Sequence, residues 1–343
     1  MSQKMLAAVL HKKEELSLEE VPIPEISEDE VIIRVKKCGI CGTDPHIFKG
    51  NFPAPFPLIM GHEFSGEIVN VGKQVKSVAI GAKVTVDINI SCNHCYFCRV
   101  GQKLLCESIK QIGVHVDGAF AEYVKVPQGN IYTLPDEMDW EKAAYIEPLA
   151  CAIHGLERAR MTIGSSVAII GAGPMGLALG KLAKLNGAAQ VILTELNQSR
   201  IEKAKAIGAD HVIHAGQENP IEAVKELTEG RGAHFVFEAV GSSYTYRQAF
   251  EMVRRGGTLI AYGAAPADAA IDIKPFDIFS KELTIVGSYA GSYGTWQQAI
   301  ELIKNGLFNP HEIITKTIAL EQIIEGINEA LYNKDVIKIM VGI

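Results

Sequence analysis

Val167-Ala168-Ile169-Ile170-Gly171-Ala172-Gly173-Pro174-Met175-Gly176 begins as an apolar run of strand character, breaks at a glycine-rich turn and opens a helical period. In such a turn the first glycine permits the tight bend, the second lets backbone approach a pyrophosphate, and the third allows close helix–strand packing. The free N–H groups and dipole of the following helix then favour an anion. Glycines cluster in many turns, so the context decides. A second run, Val191-Ile192-Leu193-Thr194, ends at Glu195, nineteen residues beyond Gly176. A carboxylate there accepts hydrogen bonds from ribose hydroxyls and repels a 2′-phosphate, which favours NAD over NADP. Arg200 weighs the other way, because a nearby arginine also accommodates a 2′-phosphate. The cofactor-binding set is therefore Gly171, Gly173, Pro174, Met175, Gly176, Glu195 and Arg200.

The pattern continues outward from this turn. Strand-like runs recur at His211 to Ile213, Phe235 to Glu238, Thr258 to Tyr262 and Leu283 to Val286. Helical segments near Met175 to Leu185, Arg200 to Ile207, Ile221 to Leu227 and Tyr246 to Val253 separate most of them. Six strands with crossover helices predict a doubly wound parallel sheet. The first 150 residues have another texture. Val31 to Val35, Glu67 to Val71 and the alternating Val84 to Ile90 read as strands, joined by Gly- and Pro-rich connectors such as Gly50 to Pro57. That pattern predicts a partly open β-barrel with long loops. Beyond Ser288 the chain reads as helices around Trp296 to Lys304 and Leu320 to Leu331, then a closing strand Val336 to Val341.

Composition narrows the function. The 343 residues carry a net charge of −7, with 33 Lys and Arg against 40 Asp and Glu, interleaved throughout. Neither a phosphate-tracking nucleic-acid surface nor a basic membrane patch fits this balance. Met5 to Leu10 is too short for a signal-peptide core, and Ala143 to Leu156 is interrupted by Glu147, Pro148 and His154. These features predict a cytoplasmic protein acting on a small molecule. Six of the seven cysteines fall in two groups, Cys38 with Cys41, and Cys92, Cys95, Cys98 with Cys106. In a reducing compartment such grouping reads as metal ligation before disulfides. The C-x2-C-x2-C-x7-C spacing of the second group suits a closed tetrahedral zinc site with no open position. His94 between these cysteines is then a surface residue. Free or disulfide-bonded cysteines are the alternative. The remaining candidate donors lie in Cys38-Gly39-Ile40-Cys41-Gly42-Thr43-Asp44-Pro45-His46, Gly61-His62-Glu63 and Ile146-Glu147-Pro148-Leu149. Taken singly each is ambiguous, since a lone Cys is usually core and a lone His-Glu pair usually surface. Together they offer the ligand types of a zinc with one position free.

In their order along the chain these motifs resemble the zinc-dependent medium-chain dehydrogenases over essentially the whole length. The resemblance implies a GroES-like partly open β-barrel catalytic domain, residues 1–147 and 288–343 with a structural zinc lobe at about 88–108, and an inserted six-stranded Rossmann domain at 148–287. It implies two zinc ions per chain. Cys41 and His62 would ligate the catalytic one, with Glu63 and Glu147 alternating with water or substrate. Thr43 would take the alcohol proton, His46 would pass it to solvent, and Asp44 would orient His62. Such a zinc lowers the pKa of a coordinated alcohol, and the carbinol hydrogen leaves as hydride to the nicotinamide. Cys38 and Cys151 remain core residues. Glu147-Pro148-Leu149 looks like the sorbitol and other polyol dehydrogenases and like threonine 3-dehydrogenase. An oxygen-rich zinc site suits vicinal oxygens, so a polyol is the expected substrate and an amino alcohol the alternative. The Arg that many members of both branches place before the Thr-Trp pair is missing at Thr295-Trp296. Phe48, Phe120 and Tyr289 are candidate pocket residues. A homo-oligomer, tetramer before dimer, is expected by resemblance. A non-catalytic dinucleotide-binding relative would lack zinc ligands or relay groups, and these are present.

Overall fold

In the computed structural model, which describes residues 3–343, the run before the glycine turn becomes the central strand β1, Ser166–Ile170, with all five residues buried. The following strands are β2 (Gln190–Glu195), β3 (His211–His214), β4 (Ala233–Glu238), β5 (Val253–Ala261) and β6 (Thr284–Gly287). They form one sheet of spatial order β3-β2-β1-β4-β5-β6, with every neighbouring pair parallel. This is the expected doubly wound sheet. Strand order reverses between β1 and β4, and in such sheets ligands bind outside the carboxyl ends of the strands at that point. The glycine turn leaves β1 there.

Local chemistry starts the crossover helices. Pro174 and Pro220 occupy first helical positions of Pro174–Leu185 and Pro220–Leu227, where the missing N–H costs nothing. Asn197, Asn219 and Ser242 cap their helices by accepting from the N–H groups of Arg200, Ile221 and Thr245.

The other unit comprises the chain up to Ala150 together with Gly291–Ile343, and the sheet unit comprises Cys151–Ala290. Its longest strand, Glu30–Ile40, is the hub. It pairs antiparallel with Glu63–Val71, Tyr123–Pro127 and Lys338–Gly342. Val31, Ile33 and Val35 point into the barrel core, whereas Cys38, Gly39 and Ile40 are buried in succession as the strand enters the candidate site.

One sequence expectation changes and two are extended. The alternation from Val84 to Ile90 is not one strand, because Lys83–Val86 stops and Asn89–Ile90 pairs elsewhere with Lys110–Gln111. The Asp87 carboxylate accepts from Asn89 N–H at 2.9 Å and from its amide at 2.8 Å, an Asx turn that competes with the ladder. Met5 to Leu10, read only as an apolar run, lies in strand Lys4–Lys12, which forms a hairpin with Glu15–Pro22. Pro148 interrupts the apolar run but not the backbone. It sits in the first turn of helix Ile146–Ala159, where the N–H it lacks has no intrahelical partner to lose. Among the described residues no helix is long and apolar enough to cross a membrane.

Candidate active site

The hub strand ends at Ile40 and the chain turns at Cys41 into the short helix Thr43–Phe48. Asp44, fully buried in the first turn, accepts from Cys41 N–H through Oδ2 at 2.8 Å, which fixes the turn that presents the thiol. Its Oδ1 lies 3.4 Å from His62 Nδ1. That approach leaves the other ring nitrogen of His62 on the side away from Asp44. His62 and Glu63 follow Gly61, whose φ of +92° and close approach to Phe120 exclude any side chain there. The loop is sewn down by Ala119 N–H to Gly61 O at 2.8 Å and Phe120 N–H to Met60 O at 2.9 Å.

These elements bring one donor atom each from Cys41, His62 and Glu63 within 4.8 Å of one another. A thiol, an imidazole and a carboxylate converging in a buried place form a donor set that fits zinc with a position to spare. The local charge also suits a cation. Burial, the largest single influence on His62, disfavours its charged form, yet the charges of Asp44 and Cys41 outweigh it and raise its pKa well above the ordinary value. Cys38 behaves differently. Burial, followed by the charges of Asp44 and Glu63, pushes its thiol far up, so it stays neutral in the core as expected.

Glu147 is buried in the first turn of its helix, where the dipole favours a carboxylate, and its charge is felt by Lys338. It is not part of the 4.8 Å group. Thr43 and His46 are three residues apart on one helix, hence on the same face, with His46 exposed and Pro45 buried beneath. The Cys41 thiol lies 3.7 Å from Thr43 Oγ1. Phe48 and Phe120 are core residues, and Tyr289 is half exposed in the sheet unit.

One participant escaped the sequence reading. Lys338, 3% exposed, forms an ion pair with Glu63. Burial pulls its pKa down most, and Glu63, Cys41 and Glu147 together outweigh that and raise it. Its only sequence signal is a lysine inside the apolar run Val336 to Val341.

The second donor group, Cys92, Cys95, Cys98 and Cys106, has its sulfurs within 4.8 Å of one another. N–H groups of His94 and Cys95 pull the Cys92 thiol down to about 6, toward the thiolate that a metal needs. Of residues 91–110 only Cys98 and Cys106 are buried. A lobe with no other core is what a structural metal would hold together. His94 is exposed, with Nδ1 2.8 Å from the Cys92 carbonyl.

In the sheet unit the three glycines differ physically. Gly171 has φ +97°, and a Cβ on Gly176 would collide with the Gly171 carbonyl. A Cβ on Gly173 would meet nothing nearer than Arg200 Nη1 at 3.8 Å, so an opening remains above it. Glu195 accepts from Ala172 N–H at 2.9 Å through Oε2 and from Leu196 and Asn197 N–H at 2.7 and 3.1 Å through Oε1. Its carboxylate is therefore fixed beside the loop.

Comparison with known proteins gives the family. Residues 27–136 match the alcohol dehydrogenase GroES-like domain and residues 174–305 the zinc-binding dehydrogenase domain. The sorbitol dehydrogenase of Bacillus subtilis (strain 168) is 35% identical over 345 residues, covering 99% of this chain and 97% of the relative. The chain belongs to the zinc-dependent medium-chain dehydrogenases. Within that family it is also 36% identical over 332 residues to the L-threonine 3-dehydrogenase of Chelativorans sp. (strain BNC1), with 95% of each chain covered. A zinc-binding dehydrogenase from Sinorhizobium meliloti 1021, solved bound to NADP, superposes with a TM-score of 0.95 at 34% identity over 100% of both chains. Membership makes the protein an oxidoreductase of the polyol and threonine branch that uses zinc and a nicotinamide cofactor on a small alcohol.

Proposed function

We propose that this protein oxidises a secondary alcohol of a polyol to the ketone with NAD as acceptor. The carrying observation is the convergence of Cys41, His62 and Glu63, with Glu147 buried in the same unit. A bound zinc would supply Lewis-acid polarisation of the alcohol oxygen. Cys41 and His62 would hold it, and Glu63 and Glu147 would take or yield the remaining positions. Asp44 keeps His62 in orientation. Thr43 Oγ1 accepts the alcohol proton, and the exposed His46 on the same helix face delivers it to solvent. The opening above Gly173 admits the pyrophosphate, Pro174, Met175 and Gly176 present the helix start to it, and Glu195 receives the ribose hydroxyls. Carboxylate donors beside the metal suit a substrate offering vicinal oxygens, and the Bacillus subtilis relative supports sorbitol-like polyols. The threonine 3-dehydrogenase relative supports an amino alcohol as the second reading.

Metal analysis of the purified protein is expected to give about two zinc ions per chain, one for each donor group. A single ion would remove one of the two sites from this reading. For the cofactor, Glu195→Ala is expected to weaken discrimination against NADP by about tenfold, the worth of roughly 1.4 kcal/mol of charge repulsion. The ratio of kcat/KM for the two cofactors measures this, and an unchanged ratio removes Glu195 from the role.

The free edge strand β6 and helix Pro275–Lys281 expose Phe276, Phe279 and Ile285, a surface that self-association would cover and that supports a homo-oligomer. Five of the seven cysteines lie in the two metal-donor groups, which supports a reducing, cytoplasmic setting.

A further inference from the structure

Glu238 closes strand β4 and is fully buried. A charge out of water is costly unless donors surround it, and here the donors are backbone. Oε1 accepts from the N–H groups of Val240 and Gly241, both at 2.9 Å, and Oε2 accepts from Gly241 N–H at 3.1 Å. Glu238 thus binds the turn that follows its own strand. No step of the proposed reaction uses it.

That turn lies at the crevice where strand order reverses. Ile170, the last residue of β1, is paired with Glu238, the last of β4. Ligands of such sheets bind outside these strand ends, so the turns leaving them are the two lips of the opening. The lips are fastened together. Ala239 N–H donates to the Ile170 carbonyl at 3.1 Å, and a Cβ on Gly171 would come within 2.8 Å of Val240 Cγ2. Val240, held there, is 53% exposed, so an apolar surface faces outward beside the glycine turn. A second brace comes from Tyr246 on helix Ser243–Met252, whose hydroxyl donates to the Gly263 carbonyl at 2.6 Å. Burial, then the charge of Glu238, pushes that hydroxyl up to about 12, so it stays a donor. A Cβ on Gly263 would collide with Gly241 N and lie 2.8 Å from Glu238 Oε2. The turns after β4 and β5 therefore pack backbone on backbone around one carboxylate.

We infer that Glu238 is a positioning residue for the dinucleotide: its carboxylate holds the 239–241 turn as the second lip of the opening, in the shape that binding requires. This inference rests on the reading of the glycine turn as a dinucleotide site. With no acceptor at position 238, the Val240 and Gly241 N–H groups turn to water. Binding then draws on the fraction of molecules that still hold the lip in place, and the affinity falls by that fraction. The number of sites stays the same.

The test is a titration of the full chain with NADH, followed by nicotinamide fluorescence at a temperature where circular dichroism shows each variant folded. It reads two quantities, the Kd and the signal reached at saturation. A loss of folded molecules lowers the second and leaves the first. Glu238→Met keeps the volume and removes the acceptor. It is expected to raise Kd roughly 10–100-fold at parental saturation, the effect of two buried N–H groups left unpaired. Glu238→Gln keeps an acceptor oxygen without the charge and is expected to stay within about threefold of the parent. Parent-like Kd in Glu238→Met, a fall in saturation with Kd unchanged, or a Glu238→Gln as weak as Glu238→Met overturns the inference. Should Glu238→Met not fold, Tyr246→Phe decides. For the lost brace, about three- to tenfold weaker binding at full saturation is expected, and parent-like binding overturns the inference. A parent protein that does not bind NADH overturns the dinucleotide reading and the inference with it.

Discussion

Cys41→Ser is expected to abolish alcohol oxidation while leaving nicotinamide cofactor binding close to that of the parent. Cys41 is the only thiol in the Cys41, His62, Glu63 group, and its loop is set by the Asp44 contact, so no neighbour replaces it. Cys38, three residues earlier, faces the core with a thiol pushed up by burial and cannot substitute. Lewis-acid polarisation supplies several kcal/mol of transition-state stabilisation, and each 1.4 kcal/mol is a factor of ten, so the loss should be roughly 1,000-fold or more in kcat. The glycine turn, Glu195 and Arg200 all belong to the sheet unit and are untouched. Titration of NADH fluorescence together with zinc analysis separates the two effects. The expected result is one zinc lost and cofactor affinity kept. Retained turnover would remove Cys41 from the metal site.

Cys106→Ser tests the second donor group, and here the expected effect is on structure. Residues 91–110 bury only Cys98 and Cys106, and the regular elements among them are short, Tyr96–Arg99 and Lys103–Leu105. Tyr96, Val100 and Leu105 are exposed, so no apolar cluster remains when the metal is gone. Structural zinc contributes on the order of 10 kcal/mol to folding in small metal-held segments, well beyond what such a lobe could replace by packing. Hydrogen exchange should show loss of protection across 92–107 with the β1–β6 sheet unchanged, and zinc should fall by one per chain. Full protection of the lobe in the variant would show that it folds without a metal.

These effects differ in how far the sequence announces them. The glycine turn, the alternating strands and the four-cysteine spacing are local patterns, and the six strands of the sheet lie where their apolar runs predict, to within a few residues at most ends. Local patterning fails where a side chain competes with the ladder. Asp87 ends a strand that alternation would continue, because its carboxylate captures Asn89. It also fails for short apolar runs, as at Met5 to Leu10, where only the pairing partner at Glu15–Pro22 distinguishes a buried strand. The distant metal donors are legible as residue types and become a group only when the hub strand, the Gly61 loop and the Cys41 turn are assembled. Lys338 is the extreme case. Its pairing depends on strand register across the barrel, and nothing near it in sequence names Glu63 as its partner. Glu147 shows the opposite limit, since the motif singles it out while the structure leaves its carboxylate outside the 4.8 Å group.

The account stands or falls on substrate. Initial rates of NADH formation should be measured with the zinc-loaded protein on a panel of polyols, L-threonine and simple secondary alcohols, each with NAD and with NADP. The predicted result is the highest kcat/KM for a polyol with NAD. Rapid turnover of threonine with no response to any polyol would contradict it.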